Sequence, residues 1–262
     1  MIRALYSAAT GMKAQETNID VISNNLANVN TTGFKKSRAD FQDLMYQTVV
    51  EPGAPTSSGT QSPSGIQVGL GVKTAAVQRV FSQGDLSNTG NQLDLAIEGE
   101  GFFQVQNPDG TPAYTRAGNF QLNDQGQLVT NDGYLVQPTI TVDNTVLSVT
   151  IAEDGTVSGR VQGQTALSNL GTLDAARFPN PAGLRAVGRN LYQETDSSGT
   201  AVTGNFNADG FGRLQQGFLE SSNVSVVEQV VTMITAQRAY EAASKGISTA
   251  DEMLGQAISL KR

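Results

Sequence analysis

Three acidic side chains lie close together in the sequence and suggest a first chemistry to consider. Asp94, Glu98 and Glu100 lie in 94-DLAIEGE-100, and their even spacing places all three on one face of an extended strand. Two carboxyl groups on one face are what glycosidases use as acid and base or nucleophile. Rows of acidic residues on strands more often face solvent, so an extracellular carbohydrate-active β protein is a remote alternative.

The remaining candidate catalytic or cofactor motifs are weak. Ser244 and Lys245 are adjacent, and adjacent residues of a helix do not face each other, so they form no dyad. The glycine pairs of 69-GLGVKT-74 and 99-GEGFFQ-104 lack the further residues of dinucleotide and phosphate loops, and we predict turns or bulges there. The chain has no histidine and no cysteine, and it lacks the aspartate ladder of an EF-hand. The sequence therefore predicts no enzyme, no cofactor and no metal site.

Composition and charge narrow the class of protein further. The 262 residues are 38% hydrophobic and include 28 glycines, which suits a core of short strands and turns. A formal net charge of −7 argues against nucleic-acid binding, because phosphate backbones require a basic surface. No apolar run approaches the roughly 20 residues that a bilayer requires, and Ser7, Thr10 and Lys13 interrupt any signal-peptide core. We therefore expect no membrane insertion and no cleaved signal peptide.

The elements that must position any functional residue begin with a helix predicted from Ile2 to Val29. Apolar residues recur there every seven positions, which is the heptad pattern of helices that pack along a seam. The opposite face carries charged and amide side chains. The predicted seam residues of this helix are Leu5, Met12, Ile19, Ile22, Leu26 and Val29.

A second helix is predicted from Val226 to Leu260, and at about 1.5 Å per residue it is roughly 50 Å long. Ser225 and Glu228 have the spacing of a capping box and mark its start. Alanines at positions 236, 243, 250 and 257 form a column of small side chains that allows a neighbouring backbone to approach. The predicted seam residues are Val226, Met233, Tyr240, Ile247 and Leu254.

The two seams have two possible explanations. The helices either pack within one chain as an ordinary core, or they also pack against neighbouring chains. About ten seam residues contribute roughly 15–30 kcal/mol gross, whereas ordering about sixty residues costs about 1–2 kcal/mol per residue. This comparison favours a homo-oligomer in the form of a helical polymer, with both ends unfolded until assembly.

Between the helices the apolar pattern changes to a period of two, which is typical of strands. Asp109-Gly110, Asp132-Gly133 and Asp154-Gly155 are turn signals of antiparallel hairpins. Residues 51–65, rich in Pro, Gly, Ser and Thr, are predicted to be a loop or linker, and residues 34–50 fit a short helix or an extended connector equally well. The predicted strands are residues 94–99, 102–106, 119–123, 127–130, 134–137, 146–151 and 156–161.

These elements predict an α+β fold. Long N- and C-terminal helices pair as a coiled-coil-like tube domain, and a central antiparallel all-β domain is attached through an extended connector. The predicted boundaries are residues 1–30 with 222–262 for the helices, 31–76 for the connector and 77–221 for the β domain.

The segment 24-NNLANVNTTGFKK-36 marks the corner between the first helix and the connector. Its asparagine and glycine residues tolerate the left-handed conformations that end helices, and its amide side chains can bond the backbone of adjacent chains. The alternative is an ordinary helix end with surface asparagines. The predicted corner residues are Asn24, Asn25, Asn28, Asn30, Gly33 and Phe34.

Two long motifs resemble the signatures of the bacterial flagellar rod and hook proteins. The first includes 22-ISNNLANVNTTGFK-35, and the second is 222-SNVSVVEQVVTMITAQRAYEAASKGISTADEML-254. Preceding residues that share the resemblance are Tyr6, Ala9, Thr10, Gly11, Met12 and Gln15. The likeness continues through residues 96–105 and 113–137, and the segment 46–72 is similar to that of distal rod subunits.

The resemblance implies a structural subunit of the distal rod in the flagellar basal body, exported without a cleaved signal peptide. Such subunits polymerise into a straight, hollow drive shaft that spans the periplasm, transmits motor torque to the hook and forms part of the export channel. The implied partners are further copies, proximal rod proteins, the hook protein, the surrounding ring proteins and the flagellar type III export apparatus. A hook-type or proximal rod subunit is the nearest alternative.

Overall fold

The computed structural model describes residues 2–53, 55–57, 60–61, 63–163, 166–208 and 210–259. The chain forms two compact units. Unit 1 comprises Met1–Ala27, Ser37–Gln78 and Ser225–Arg262, and unit 2 comprises Asn28–Lys36 and Arg79–Val224. An N-terminal helix, a central β-rich region and a C-terminal helix follow one another along the chain, which confirms the predicted α+β class.

Unit 1 contains the two helices, α1 (Ile2–Ala27) and α2 (Val226–Ser259), which pack against each other. The helix predicted to reach Val29 ends at Ala27, because residues 28–33 form turns, and Leu260 lies outside the described residues. The start of α2 is as predicted, and the Glu228 amide donates to Ser225 Oγ at 3.5 Å. Neither helix, over its described length, contains a stretch apolar enough to span a bilayer.

Short two-stranded ribbons complete unit 1. Strand β1 pairs with β6, β2 with β5, and β3 with β4. Of the two predictions for residues 34–50, the extended one is confirmed. The prediction of a loop over residues 51–65 is wrong where β3 and β4 pair, although residues 54, 58, 59 and 62 lie outside the described part. Such short strands form from backbone hydrogen bonds without a large apolar face, so the composition gave no signal for them. The strands are β1 (Ser37–Asp43), β2 (Tyr46–Val50), β3 (Pro55–Ser57), β4 (Thr60–Gln61), β5 (Ile66–Gly69) and β6 (Val72–Arg79).

Unit 2 is built from short strands and one 3₁₀ turn at Pro181–Gly183. All seven predicted strands are confirmed to within two residues at each end. The first eight strands are β7 (Leu86–Asn88), β8 (Leu95–Glu98), β9 (Phe102–Gln106), β10 (Pro112–Thr115), β11 (Phe120–Leu122), β12 (Leu128–Thr130), β13 (Leu135–Gln137) and β14 (Val146–Ile151). The others are β15 (Thr156–Val161), β16 (Leu167–Thr172), β17 (Asp174–Arg177), β18 (Arg185–Gly188), β19 (Leu191–Gln193), β20 (Val202–Asn205), β21 (Arg213–Gln216) and β22 (Phe218–Glu220).

The main sheet of unit 2 has nine strands. Seven follow one another in the order β11-β12-β13-β9-β10-β19-β18, and β17 pairs with both β9 and β20. Strands β14, β15 and β16 form a second sheet, while β8 pairs with β21 and β7 with β22. The ladders whose registers are defined are antiparallel. The glycines of the three predicted Asp-Gly turns adopt φ between +77° and +87°, as hairpin turns require.

Strand β9 separates two apolar cores. Phe103 packs into the larger core, edge-on against Phe120 with ring centroids 5.0 Å apart. Phe102 points to the opposite face, where it packs edge-on against Phe178 and Tyr192. Successive side chains of a strand point to opposite faces, and here both faces are buried. Unit 2 therefore has a fixed strand register at its centre.

Candidate assembly surfaces and the corner after the first helix

The predicted seam residues of α1 are buried to different extents. Ile22 is buried, while Leu5, Met12, Ile19 and Leu26 are half-buried. Ala14, which was not included in the predicted seam, is also buried. Val29 is half-buried but lies beyond the end of α1, in unit 2.

On α2 the small side chains lie deepest. Ala236 and Ala250 are buried, and Ala243 is half-buried, whereas nothing is described of the Ala257 side chain. Small residues allow two helix backbones to approach closely, which explains why this column faces inward. The predicted seam residues Met233, Ile247 and Leu254 are half-buried, while Val226 and Tyr240 are 45% and 42% exposed.

A polar contact joins the helices at the buried end of the pair. The Asn25 side chain of α1 donates to Gln229 Oε1 of α2 at 3.2 Å and to the Ser37 carbonyl at 2.8 Å. The Ser37 amide donates back to Asn25 Oδ1 at 2.8 Å. These bonds join residues of one unit, and the expected bonds from the corner amides to adjacent chains stay a prediction.

A second apolar face of α2 remains in solvent within the chain. Val227, Val231 and Ile234 are 75%, 59% and 52% exposed, and Val230 is also exposed. Their three- and four-residue spacing puts them on one side of the helix. We call these four residues the outer α2 face. The seven-residue repeat, from which the seams were predicted, does not include these residues.

The ribbon formed by β2 and β5 also carries exposed apolar side chains. Tyr46, Val49, Ile66 and Val68 are exposed, as is the preceding Met45. An isolated two-stranded ribbon is only marginally stable in water, so a covering surface would stabilise it.

The corner after α1 belongs to unit 2. Gly33 adopts φ +68°, and its amide donates to the Glu220 carbonyl at 2.8 Å. A Cβ at Gly33 would lie 2.6 Å from the Ala117 nitrogen, so the backbone approaches too closely for any side chain. Asn30 is exposed, and it is not one of the described residues that adopt a positive φ. Gly33 therefore makes the left-handed turn, as predicted, whereas Asn30 does not.

The other corner residues have distinct environments. Phe34 is buried, and the Arg79 guanidinium lies 5.9 Å from the centroid of its ring. Asn28 Oδ1 accepts a hydrogen bond from Thr31 Oγ1 at 3.2 Å. Asn24 is exposed on the last turn of α1. Phe34 thus serves as an apolar anchor of the corner.

Immediately after this anchor lies a buried set of ionic groups, which we call the charge cluster. Lys35 Nζ lies 2.5 Å from Glu220 Oε1, and Arg116 lies 3.4 Å from Glu220 Oε2. Lys35 also donates to the Ser82 carbonyl at 2.8 Å. Burial lowers the pKa of Lys35, and the neighbouring Arg116 charge acts in the same direction while Glu220 opposes both. The sequence gives no sign of this cluster, because no local pattern links residues 185 positions apart.

The acidic row considered for glycosidase chemistry does not form one site. Strand β8 contains Glu98 but begins after Asp94, and glycine φ angles of +111° and +142° at positions 99 and 101 redirect the chain around Glu100. Asp94 accepts hydrogen bonds from Thr89 and Asn91. Glu98 pairs with Arg213 at 2.9 Å, and Glu100 lies 3.8 Å from Arg177. Each carboxylate has its own partners, so the prediction of a single row is wrong.

Known families match three parts of the chain. Residues 5–35 match the flagella basal body rod protein family, residues 96–159 the flagellar hook protein FlgE/F/G D1 domain, and residues 215–260 the flagellar basal body rod FlgEFG protein C-terminal family. These segments include most of α1 with the corner, the centre of unit 2 and all of α2.

Relatives extend the similarity over the full length. The chain is 52% identical over 264 residues to the flagellar basal-body rod protein FlgG of Borreliella burgdorferi, with 100% of both chains covered. It is 51% identical to the FlgG of Buchnera aphidicola subsp. Acyrthosiphon pisum, covering 97% of this chain and 98% of that protein. The flagellar hook protein FlgE of Helicobacter mustelae is 48% identical, but over 52% of this chain and 30% of that protein. This chain therefore belongs to the family of flagellar basal-body rod proteins.

Proposed function

We propose that the chain is a non-enzymatic structural subunit of the flagellar distal rod. Copies assemble through their terminal helices into a straight, hollow shaft that spans the periplasm, transmits motor torque to the hook and forms part of the export channel. The full-length similarity to rod proteins supports this assignment. The proposed partners are further copies, proximal rod proteins, the hook protein, surrounding ring proteins and the export apparatus, which delivers the chain without cleavage of a signal peptide.

The observation that carries the proposal is the outer α2 face. Within one chain, α2 already packs its alanine column against α1, yet Val227, Val231 and Ile234 stay exposed. Burying an exposed valine or isoleucine is worth about 1.5–3 kcal/mol, so leaving several on one side of a helix indicates an absent partner. A second copy is the partner that a polymer supplies, and a helix with apolar residues on two sides can pack against two neighbours.

The predicted seam residues have a defined role in this proposal. The half-buried side chains of Leu5, Met12, Ile19, Leu26, Met233, Ile247 and Leu254 close the contact between the helices and retain surface for neighbouring copies. Val226 and Tyr240 are exposed and contact the next copy. The corner residues fix the path of the chain after α1.

A charge on the outer α2 face tests the proposal. We expect Val231→Lys to prevent polymer formation by the purified protein, while unit 2 keeps the amide protection of the unaltered chain. Ala239→Lys, at an exposed position of the same helix outside this face, is the matched control and should leave assembly intact. Electron microscopy and sedimentation velocity at increasing concentration measure the result. Normal polymers from the Val231→Lys protein would contradict the role given to this face.

Amide exchange distinguishes packing between chains from packing within one chain. We expect α1 and α2 to exchange readily in dilute monomer and to be strongly protected in the polymer, because neighbouring copies supply the missing contacts. Equal protection in both states would favour an ordinary intramolecular core.

Deletion of residues 51–65 separates a distal rod subunit from a hook-type or proximal subunit. If this segment stiffens the shaft, polymers of the shortened chain should be curved, whereas polymers of the complete chain should be straight. Unchanged curvature in electron micrographs would show that the stiffening role given to this segment is wrong, and curved polymers of the complete chain would favour the hook-type alternative.

A further inference from the structure

Three pieces of chain meet inside unit 2 at the positions where it is entered and left. Unit 2 contains Asn28–Lys36 and Arg79–Val224, so the chain leaves it after Lys36, enters again at Arg79 and leaves after Val224. We call residues 33–36, 79–84 and 220–223 the junction segments. All three belong to unit 2, and hydrogen bonds connect each of them to the other two.

One side chain bonds all three junction segments. Asn223 Oδ1 accepts from the Lys36 amide at 2.7 Å, and its Nδ2 donates to the Val80 carbonyl at 2.8 Å and the Ser82 carbonyl at 3.1 Å. The Val80 amide in turn donates to the Lys36 carbonyl at 2.9 Å. Asn223 therefore joins residues that lie 143 and 187 positions away in the sequence.

The charge cluster makes a second connection among the same segments. Glu220 Oε1 accepts from Lys35 Nζ at 2.5 Å and from the Gly84 amide at 2.9 Å. The side chains of Lys35 and Glu220 are fully buried, and Arg116 lies beside them. Without Glu220, Lys35 would be buried next to a second positive charge with no carboxylate between them, which is strongly unfavourable. Lys35 can therefore take its buried position only after Glu220 has arrived.

We propose that the junction segments order together, as one cooperative closure, and that the corner after α1 becomes fixed only when residues 220–223 are in place. This step rests on the proposed function, because in a subunit delivered through the export apparatus the corner would stay unfixed until residues 220–223 had passed through it. An incomplete chain would then lack the fixed corner. The closure is a conformational device that distinguishes complete chains from incomplete ones.

Two substitutions at Asn223 test this coupling in the full-length chain. Asn223→Ala removes every side-chain bond, whereas Asn223→Asp keeps an acceptor for the Lys36 amide and loses the donor to Val80 and Ser82. If the segments are coupled, exchange at the Lys36, Gly33 and Gly84 amides should rise at least tenfold in both variants. Ser222→Ala is the control, since Ser222 Oγ has no hydrogen-bond partner within the described ranges.

A different pattern of amide exchange would contradict the proposal. If Asn223→Asp leaves the Lys36 amide protected, and Asn223→Ala exposes only that amide, the bonds are independent local contacts and the proposal is wrong. If either variant fails to fold, exchange of the unaltered protein in low urea decides: coupled segments share one opening free energy at Gly33, Lys36, Val80 and Gly84, and uncoupled segments have different ones. All exchange is measured on dilute monomer, so polymer formation, which tests the proposed function, is scored separately.

Discussion

The Asn25 side chain of α1 donates a buried hydrogen bond to the Gln229 side chain of α2, 204 residues later in the sequence. Replacing Asn25 by Ala leaves Gln229 and the Ser37 amide without this partner in a buried place. We expect the free energy of unfolding of unit 1 to fall by about 1–3 kcal/mol. Urea denaturation of the assembled polymer, in which the helices are ordered, measures the change by circular dichroism. Ser23→Ala, at an exposed position of α1, is the control, and an equal effect of both substitutions would remove the special role of Asn25.

The alanine column of α2 predicts a steric effect that depends on the side of the helix. Ala236→Leu introduces a large side chain where the helices are in close contact, and we expect it to destabilise the pair by about 1–3 kcal/mol. Ala239→Leu adds the same side chain at an exposed position and should change stability by less than about 0.5 kcal/mol. Thermal denaturation of the assembled polymer, followed at 222 nm, tests the difference. Similar melting temperatures for the two variants would show that position 236 has room for leucine.

The two glycines Gly33 and Gly133 separate backbone strain from steric overlap. Both adopt a positive φ, but only Gly33 has backbone atoms where a Cβ would be, whereas Gly133 has no atom within 4 Å of that position. Gly133→Ala should therefore cost about 1–2 kcal/mol from the left-handed conformation alone. Gly33→Ala should cost more, since the Ala117 backbone must also move. Urea midpoints of unit 2 measure both, and equal losses would mean that the corner adapts freely.

The surface pair between Glu98 and Arg213 predicts a specific pH dependence. The hydrogen bond from Arg213 lowers the pKa of Glu98, so this carboxyl loses its proton more readily in the folded chain than in the unfolded one. Its stabilisation is complete above the unfolded value and is lost as the pH falls through the lower, folded value. The melting temperature of Glu98→Gln should therefore lie below that of the unaltered protein at pH 7, and the gap should narrow at pH 3. A gap that widens on acidification would contradict this assignment.

Local pattern predicted the elements whose side chains alternate or repeat regularly. Strand β9 was predicted at its observed bounds because its turn glycines and alternating residues agree. The strands after residue 161 were not predicted, and at least β18 (Arg185–Gly188) has no buried residue and hence no alternation. The short strands within residues 51–65 were missed because the sequence there is rich in Pro, Gly, Ser and Thr and shows no apolar alternation.

Of the candidate assembly surfaces and the corner, the sequence predicts only the parts that depend on the helix period or on a turn. The seam of α1 and the left-handed Gly33 follow from spacing and from residue type. The charge cluster does not, because its lysine and its glutamate meet only after the whole of unit 2 has folded between them. The outer α2 face had a local signal, in the spacing of Val227, Val231 and Ile234, and a search at three- and four-residue intervals would have found it.

Strand β9 has a consequence for how this protein tolerates insertions and deletions. Phe102 and Phe103 enter different cores, and the half-buried Gln104 and Gln106 alternate with buried Val105. Adding or removing a single residue in this strand would move glutamine amides into one core and withdraw apolar rings from it. Differences in length between this chain and its relatives should therefore fall in the exposed turn at residues 107–111, while β9 keeps the same number of residues.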